Sequence, residues 1–176
     1  YRPRVHMVGS RARFDSLLGG AFPDWGAAAA LPHRGMIVIK SPDHFRLERP
    51  LRELITHEYA HLALDHRTGR REVPRWFQEG VAQMVSMEWN FWDNLAATRV
   101  AVFDQFIPWL DIERVNRFGG ARAQIAYAMS YRAVAYMYDA YGVEAVNIFM
   151  DRLRAGFDPE GLQPPVERAR PSVSPS

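Results

Sequence analysis

The chain has no cysteine, which excludes a disulfide framework and any thiolate metal site. A metal ion could be held only by His, Asp or Glu. Lys40 is the only lysine; the other basic residues among the 22 are arginines, scattered along the chain. No dense Lys/Arg run marks a surface for nucleic acid or lipid. The formal charge is +2, with 20 acidic groups nearly balancing the basic ones. The pI near 9.2 therefore reflects a narrow excess, and nucleic acid is not an expected partner. No apolar run approaches the roughly 18 residues of a membrane span, and no signal peptide is visible. The chain begins at Tyr1 without an initiator Met, which reads as a processed form or an excised domain.

What is present fits one globular domain. A chain of 176 residues buries about 70% of its unfolded surface and needs no covalent staple. Apolar residues make up 48% and aromatics 12%, as in folded proteins. Arg4–Gly9 alternates and reads as a strand. Ser10 caps a short helix to about Leu18, ended by Gly19 and Gly20. Pro23 to Pro32 reads as a loop, and Met36–Lys40 (MIVIK) as a strand. Pro50 suits the first position of a helix running to about His66. Gly69 marks its exit, and Pro74 opens a helix to about Glu88. A further helical stretch covers roughly Trp92 to Phe103, and Gln105 to Gly120 reads as a long loop with a helical turn. Helices from Ala121 to Tyr141 and Val143 to Ala155 are stopped by Gly142 and Gly156. Strands early and helices late predict an α+β fold. The domain is expected over 1–156, with a Pro/Ser-rich tail or linker over 157–176.

The chemistry concentrates in one of these helices. His57-Glu58-Tyr59-Ala60-His61 has the HExxH spacing. Residues four apart in a helix lie about 40° apart around its axis, so both imidazoles reach a single Zn²⁺ at roughly 2.0–2.1 Å. Glu58 lies on the flank of that face, placed to take the proton of a zinc-bound water as it attacks a carbonyl. At this chain's His and Glu frequencies a chance match is expected about 0.01 times. The alternative is a helix with two surface histidines. Against it stand Leu51, Leu54, Ile55, Leu62 and Leu64, which make the helix largely apolar; a buried His-Glu-His cluster without metal is costly to desolvate.

A catalytic zinc takes three protein ligands and keeps one position open. An extended HExxHxxGxxH fails here, because Leu64 stands where its glycine belongs and Arg67 where its third histidine belongs. Asp65 fails as well, since eight residues of helix put it about 12 Å from His57. Glu79, one turn into the helix that Pro74 opens, is the candidate. Two antiparallel helices would bring it to His57 and His61, with Gly80 allowing the close approach. Alone, Glu79 would read as a solvated first-turn glutamate favouring the helix dipole; beside HExxH it reads as a ligand.

HExxH followed by Trp76-x-x-Glu79-Gly80-x-Ala82, with seventeen residues between His61 and Glu79, resembles the gluzincin metallopeptidases, and more narrowly the bacterial peptidase MA-like domains. The likeness spans the early strand, the Ile-rich strand before the zinc helix, the Trp-x-x-Glu-Gly helix, and a late Tyr-x-x-Ser helix ahead of a Tyr-Gly stop. It implies a minimal zincin fold, a small sheet whose edge strand borders the cleft over a helical body. Gluzincin aminopeptidases carry a Gly-x-Met-Glu-Asn strand whose Glu holds the substrate's free amine. Arg34-Gly35-Met36-Ile37-Val38 lacks that Glu, so endopeptidase-like action is expected. Thermolysin-like relatives place an Asp one turn after the ligand Glu to orient a zinc histidine. Gln83 stands there, and its amide oxygen would accept the imidazole proton more weakly; a merely polar surface residue is the alternative.

Tyr127 matches the tyrosine that donates to the oxyanion opposite the zinc in the aminopeptidase branch, and Tyr131, one turn along, is the reserve. Otherwise these two, with Tyr136, Tyr138 and Tyr141, are core and boundary aromatics. Met87–Trp92 and Phe106–Leu110 are aromatic clusters, read as packing before pocket lining. His6, His33 and His44 have no ligand spacing. The expectation is a zinc-dependent peptidase acting on peptide or protein. Its rivals are a zinc-binding regulatory domain without turnover, which the presence of Glu58 argues against, and a zinc hydrolase of a non-peptide amide. Relatives of this kind are often exported or membrane-tethered, which implies an extracytoplasmic location.

Overall fold

A computed structural model describes residues 2–20, 22–23, 26–86 and 106–157. Three strands come first. β1 (Arg4–Val8) and β2 (Ala28–Leu31) flank β3 (Met36–Lys40), in the order β1-β3-β2. β1 runs parallel to β3, with Arg4 opposite Met36 and Val8 opposite Lys40. β2 runs antiparallel, with Ala28 opposite Ile39 and Leu31 opposite Met36. The unbroken MIVIK run is explained by cover on both faces, since side chains alternate across a strand. Met36 and Val38 pack with Phe14 of α1 (Arg11–Leu18), whereas Ile37 and Ile39 pack with Leu54 and Leu62 of α2 (Leu51–Arg67). Lys40, also buried, ends the strand with its ammonium 5.2 Å from the Phe14 ring centre.

β2 corrects the expected loop over Pro23 to Pro32. Alanine has little strand propensity, so an Ala-rich run carries no local signal. Pairing with a buried central strand decides the matter. The return to β3 is a 3₁₀ turn over Pro32–Arg34, closed by Gly35 at φ 57°, a left-handed conformation that favours glycine.

The helix boundaries follow local chemistry. Ser10 caps α1 by accepting the Arg13 N–H, and Gly19 ends it at φ 81°. Pro50 takes the cap position of α2 (φ −57°, ψ 140°), one residue ahead of the expected first helical position. Gly69, at φ 68°, follows its end. α3 (Arg75–Ser86) then folds back onto α2. The helix expected over Trp92 to Phe103 lies outside the described residues, as do Met87, Glu88 and the tail beyond Phe157. The described part of the Gln105 to Gly120 loop holds the short helix α4 (Trp109–Ile112) and a 3₁₀ turn over Val115–Arg117. α5 (Gly120–Arg154) is continuous except at Gly142, whose φ of 75° and ψ of 175° break it into the two expected helices.

The helical core joins α3, α4 and α5. Trp76 and Phe77 meet Phe149 of α5 at ring-centre distances of 6.2 and 4.7 Å, and Trp76 meets Trp109 at 5.8 Å. Ile107 and Trp109 are buried in this core with Phe106 packed against it, whereas Leu110 of the same cluster is exposed. The fold is α+β, a small N-terminal sheet followed by a predominantly helical body. No helix of the described residues is long and apolar enough to cross a membrane. α2 lies between sheet and helical body, Leu62 facing the one and Leu64 the other, and the candidate site sits on this seam.

Candidate metal centre

His57 and His61 fall one turn apart on α2, with ring centres 5.0 Å apart. Glu79 comes to them from α3. Its Oε2 lies 3.3 Å from His57 Nε2 and 3.7 Å from His61 Nε2. The three groups can present ligand atoms all within 4.8 Å of one another, the one such His/Asp/Glu group among the described residues. Two ligands of a tetrahedral zinc, each roughly 2.0–2.2 Å from the ion, stand about 3.4 Å apart, so the triad needs little adjustment to close on a cation. The donor set fits the ion chemically as well. Oε2 of Glu79 is buried without a hydrogen-bond partner, and so is Nδ1 of His61. A buried carboxylate oxygen without a well-formed hydrogen bond costs free energy, and a divalent cation between it and the imidazoles would remove that cost.

Glu79 is only 1% exposed, which excludes a solvated first-turn glutamate. Burial alone would raise its pKa, but the charges of Arg75, His61 and His57 prevail and hold the carboxyl below its usual range. Burial pushes His61 down to about 3, against the pull of Glu79 and the Gln78 side chain. It is therefore neutral near pH 7, the form that binds metal.

Gly80 serves a different neighbour from the one expected. A Cβ there would come within 2.4 Å of the Ser130 carbonyl oxygen and 2.5 Å of Val134 Cγ2. The missing side chain lets α3 close on α5, not on α2. This contact also sets Tyr127, one turn before Ser130, beside the carboxylates. Burial, then the charge of Glu79, pushes the Tyr127 phenol well above its usual pKa, and Glu58 adds to the effect. Gln83 is buried, and its Nε2 donates to the carbonyls of Glu79 (3.2 Å) and Tyr127 (3.0 Å). It thereby ties the two helices together and is no surface residue.

Glu58, half-buried, stands at the same cavity. Burial pushes its carboxyl up to about 7, with Glu79 adding and His57, Arg75 and the Ala30 N–H opposing. The cavity measures about 460 Å³ and is lined by His57, Glu58, Arg75, Glu79, Tyr127 and the β2 backbone region, among others. Tyr131 is half-buried and is not in the lining. His6, His33 and His44 also stand apart from the triad.

Two participants escaped the sequence reading. The Ala30 backbone N–H stabilises the Glu58 carboxylate, which side-chain patterns cannot signal. Arg75 holds Oε1 of Glu79 at 2.7 Å; its position four residues before a glutamate on a helix was the available clue. Comparison of the chain with protein-family models, with curated proteins and with solved structures finds no match.

Proposed function

We propose that the protein is a zinc-dependent peptidase of the gluzincin kind, built on a minimal zincin fold and acting within peptide chains. The observation that carries this reading is the meeting of His57, His61 and Glu79 from two helices, with Glu58 at the same cavity. A Zn²⁺ held there would polarise a substrate carbonyl and make water acidic enough to ionise near neutrality.

The remaining work falls to side chains. Glu58, with its carboxyl near 7, is matched to accept a proton from water and pass it to the departing amine. Tyr127 keeps its proton at all working pH values and so remains a donor for charge developing on the carbonyl oxygen. β2 is an edge strand, and such a strand offers unpaired backbone groups to an extended peptide. Its position beside the cavity supports a peptide over a non-peptide amide.

The test is a peptide-library cleavage profile of the zinc-loaded protein, with Glu58→Gln alongside. Cleavage by the wild type and its loss in Glu58→Gln, at unchanged zinc content, is the expected result. A zinc-loaded wild type that cleaves nothing in the library would favour a binding domain without turnover.

A further inference from the structure

The two oxygens of the Glu79 carboxylate have different surroundings. Oε1 pairs with the Arg75 guanidinium, Nη2 to Oε1 being 2.7 Å. Oε2 is buried, accepts no hydrogen bond, and faces the Nε2 atoms of His57 and His61. We infer that Arg75 divides this carboxylate, holding Oε1 and reserving Oε2 for the metal, so that Glu79 binds through one oxygen only. The inference rests on the metal-centre reading and assigns Arg75 the part of a positioning residue.

The geometry around Arg75 suits that part. It lies one helical turn before Glu79, on the same face of α3. Its backbone N–H donates to Glu113 Oε1 at 2.7 Å, and Gln78 Nε2 donates to the Val73 carbonyl at 2.7 Å. The first turn of α3 is thus fixed from both sides, and the guanidinium starts from a held backbone. Arginine presents planar, permanently charged donors that match a carboxylate edge. Without such a partner, a buried carboxylate beside a cation is free to chelate it with both oxygens. That would fill the coordination position a hydrolytic zinc keeps open for water and substrate. Arg75 also balances the charge of Glu79 while the site is metal-free, when a buried unpaired carboxylate would be costly.

The test compares wild type, Arg75→Gln and Arg75→Lys, each titrated with Zn²⁺ against a chromophoric chelator and separately loaded with Co²⁺. Arg75→Gln should bind zinc about 10–100-fold more weakly. Its Co²⁺ form should show visible bands of altered intensity, as a second carboxylate oxygen joins the ion. Arg75→Lys, which keeps a charge on Oε1, should retain the wild-type bands and lose less affinity. A crystal structure of the zinc-loaded wild type needs no variant to fold; it should show one Glu79 oxygen on the ion and the other on Arg75. Both oxygens on the ion would overturn the inference, as would an Arg75→Gln protein matching wild type in affinity and Co²⁺ spectrum. A wild type that binds neither metal would remove the metal-centre reading itself.

Discussion

The two helices that meet at the cavity contribute to it in different ways. α2 presents His57 and His61 from consecutive turns of one face, with Glu58 on its flank, and it is held by side chains that reach both the sheet and the helical core. α3 contributes a single candidate ligand, but that residue is more deeply buried, 1% exposed against 14% for the His57 side chain. It is also surrounded by its own apparatus: Arg75 on one oxygen, Gly80 closing on α5, and Gln83 joining the carbonyls of Glu79 and Tyr127. The lesson is one of division. α2 carries the proposed reacting groups by local spacing, whereas α3 carries the geometry, through contacts that exist only once the helices are packed.

The sharpest way to separate the two is to remove one carboxylate from each. Glu58→Gln should cut turnover by about 10²–10⁴-fold with zinc retained, since it deletes only a proton acceptor. Glu79→Ala should lose both activity and metal. Zinc analysis beside a cleavage assay distinguishes them, and a Glu58→Gln protein that still turns over would remove the general-base role from Glu58.

Next in size is Tyr127, the proposed oxyanion donor, which α5 carries to the cavity. Tyr127→Phe should lower kcat about 10²–10³-fold, with KM and zinc content little changed. Tyr131→Phe should be near neutral, because Tyr131 is not in the cavity lining. The reverse pattern in steady-state kinetics would move the role one turn along the helix.

Smaller again is the closure of α3 on α5. Gly80→Ala places a Cβ within 2.4 Å of the Ser130 carbonyl and should destabilise the fold by about 1–3 kcal/mol, the usual cost of overpacking. Urea unfolding measures this. An unchanged midpoint would mean that the helices separate without penalty.

The smallest expected effect concerns the substrate. No carboxylate follows Met36 on β3 to hold a free amine, so acetylating the N-terminus of a cleaved peptide should leave kcat/KM nearly unaltered. Cleavage confined to free amino termini, one residue at a time, would replace endopeptidase action with aminopeptidase action.

This division also decides what could be read from the sequence. His57 and His61 were legible because helical period alone aligns residues four apart. Gly19 and Gly142 were legible as stops because each adopts a positive φ that glycine tolerates. Glu79 needed a second helix and was legible only beside HExxH. Gly80 was marked as a close approach, but its true partner, Ser130, lies 50 residues on, and no local pattern identifies it. β2 was missed since Ala28–Leu31 becomes a strand through pairing with β3 and carries no strand signal of its own. Its backbone bond to Glu58 was missed with it.

The proposed centre requires that His57, His61 and Glu79 hold one metal ion. Elemental analysis of protein purified without chelator tests it most directly, with His61→Ala as the control. About one equivalent of zinc per chain is expected in the wild type and far less in the variant. A wild type that holds no zinc, even after zinc is supplied, would contradict it.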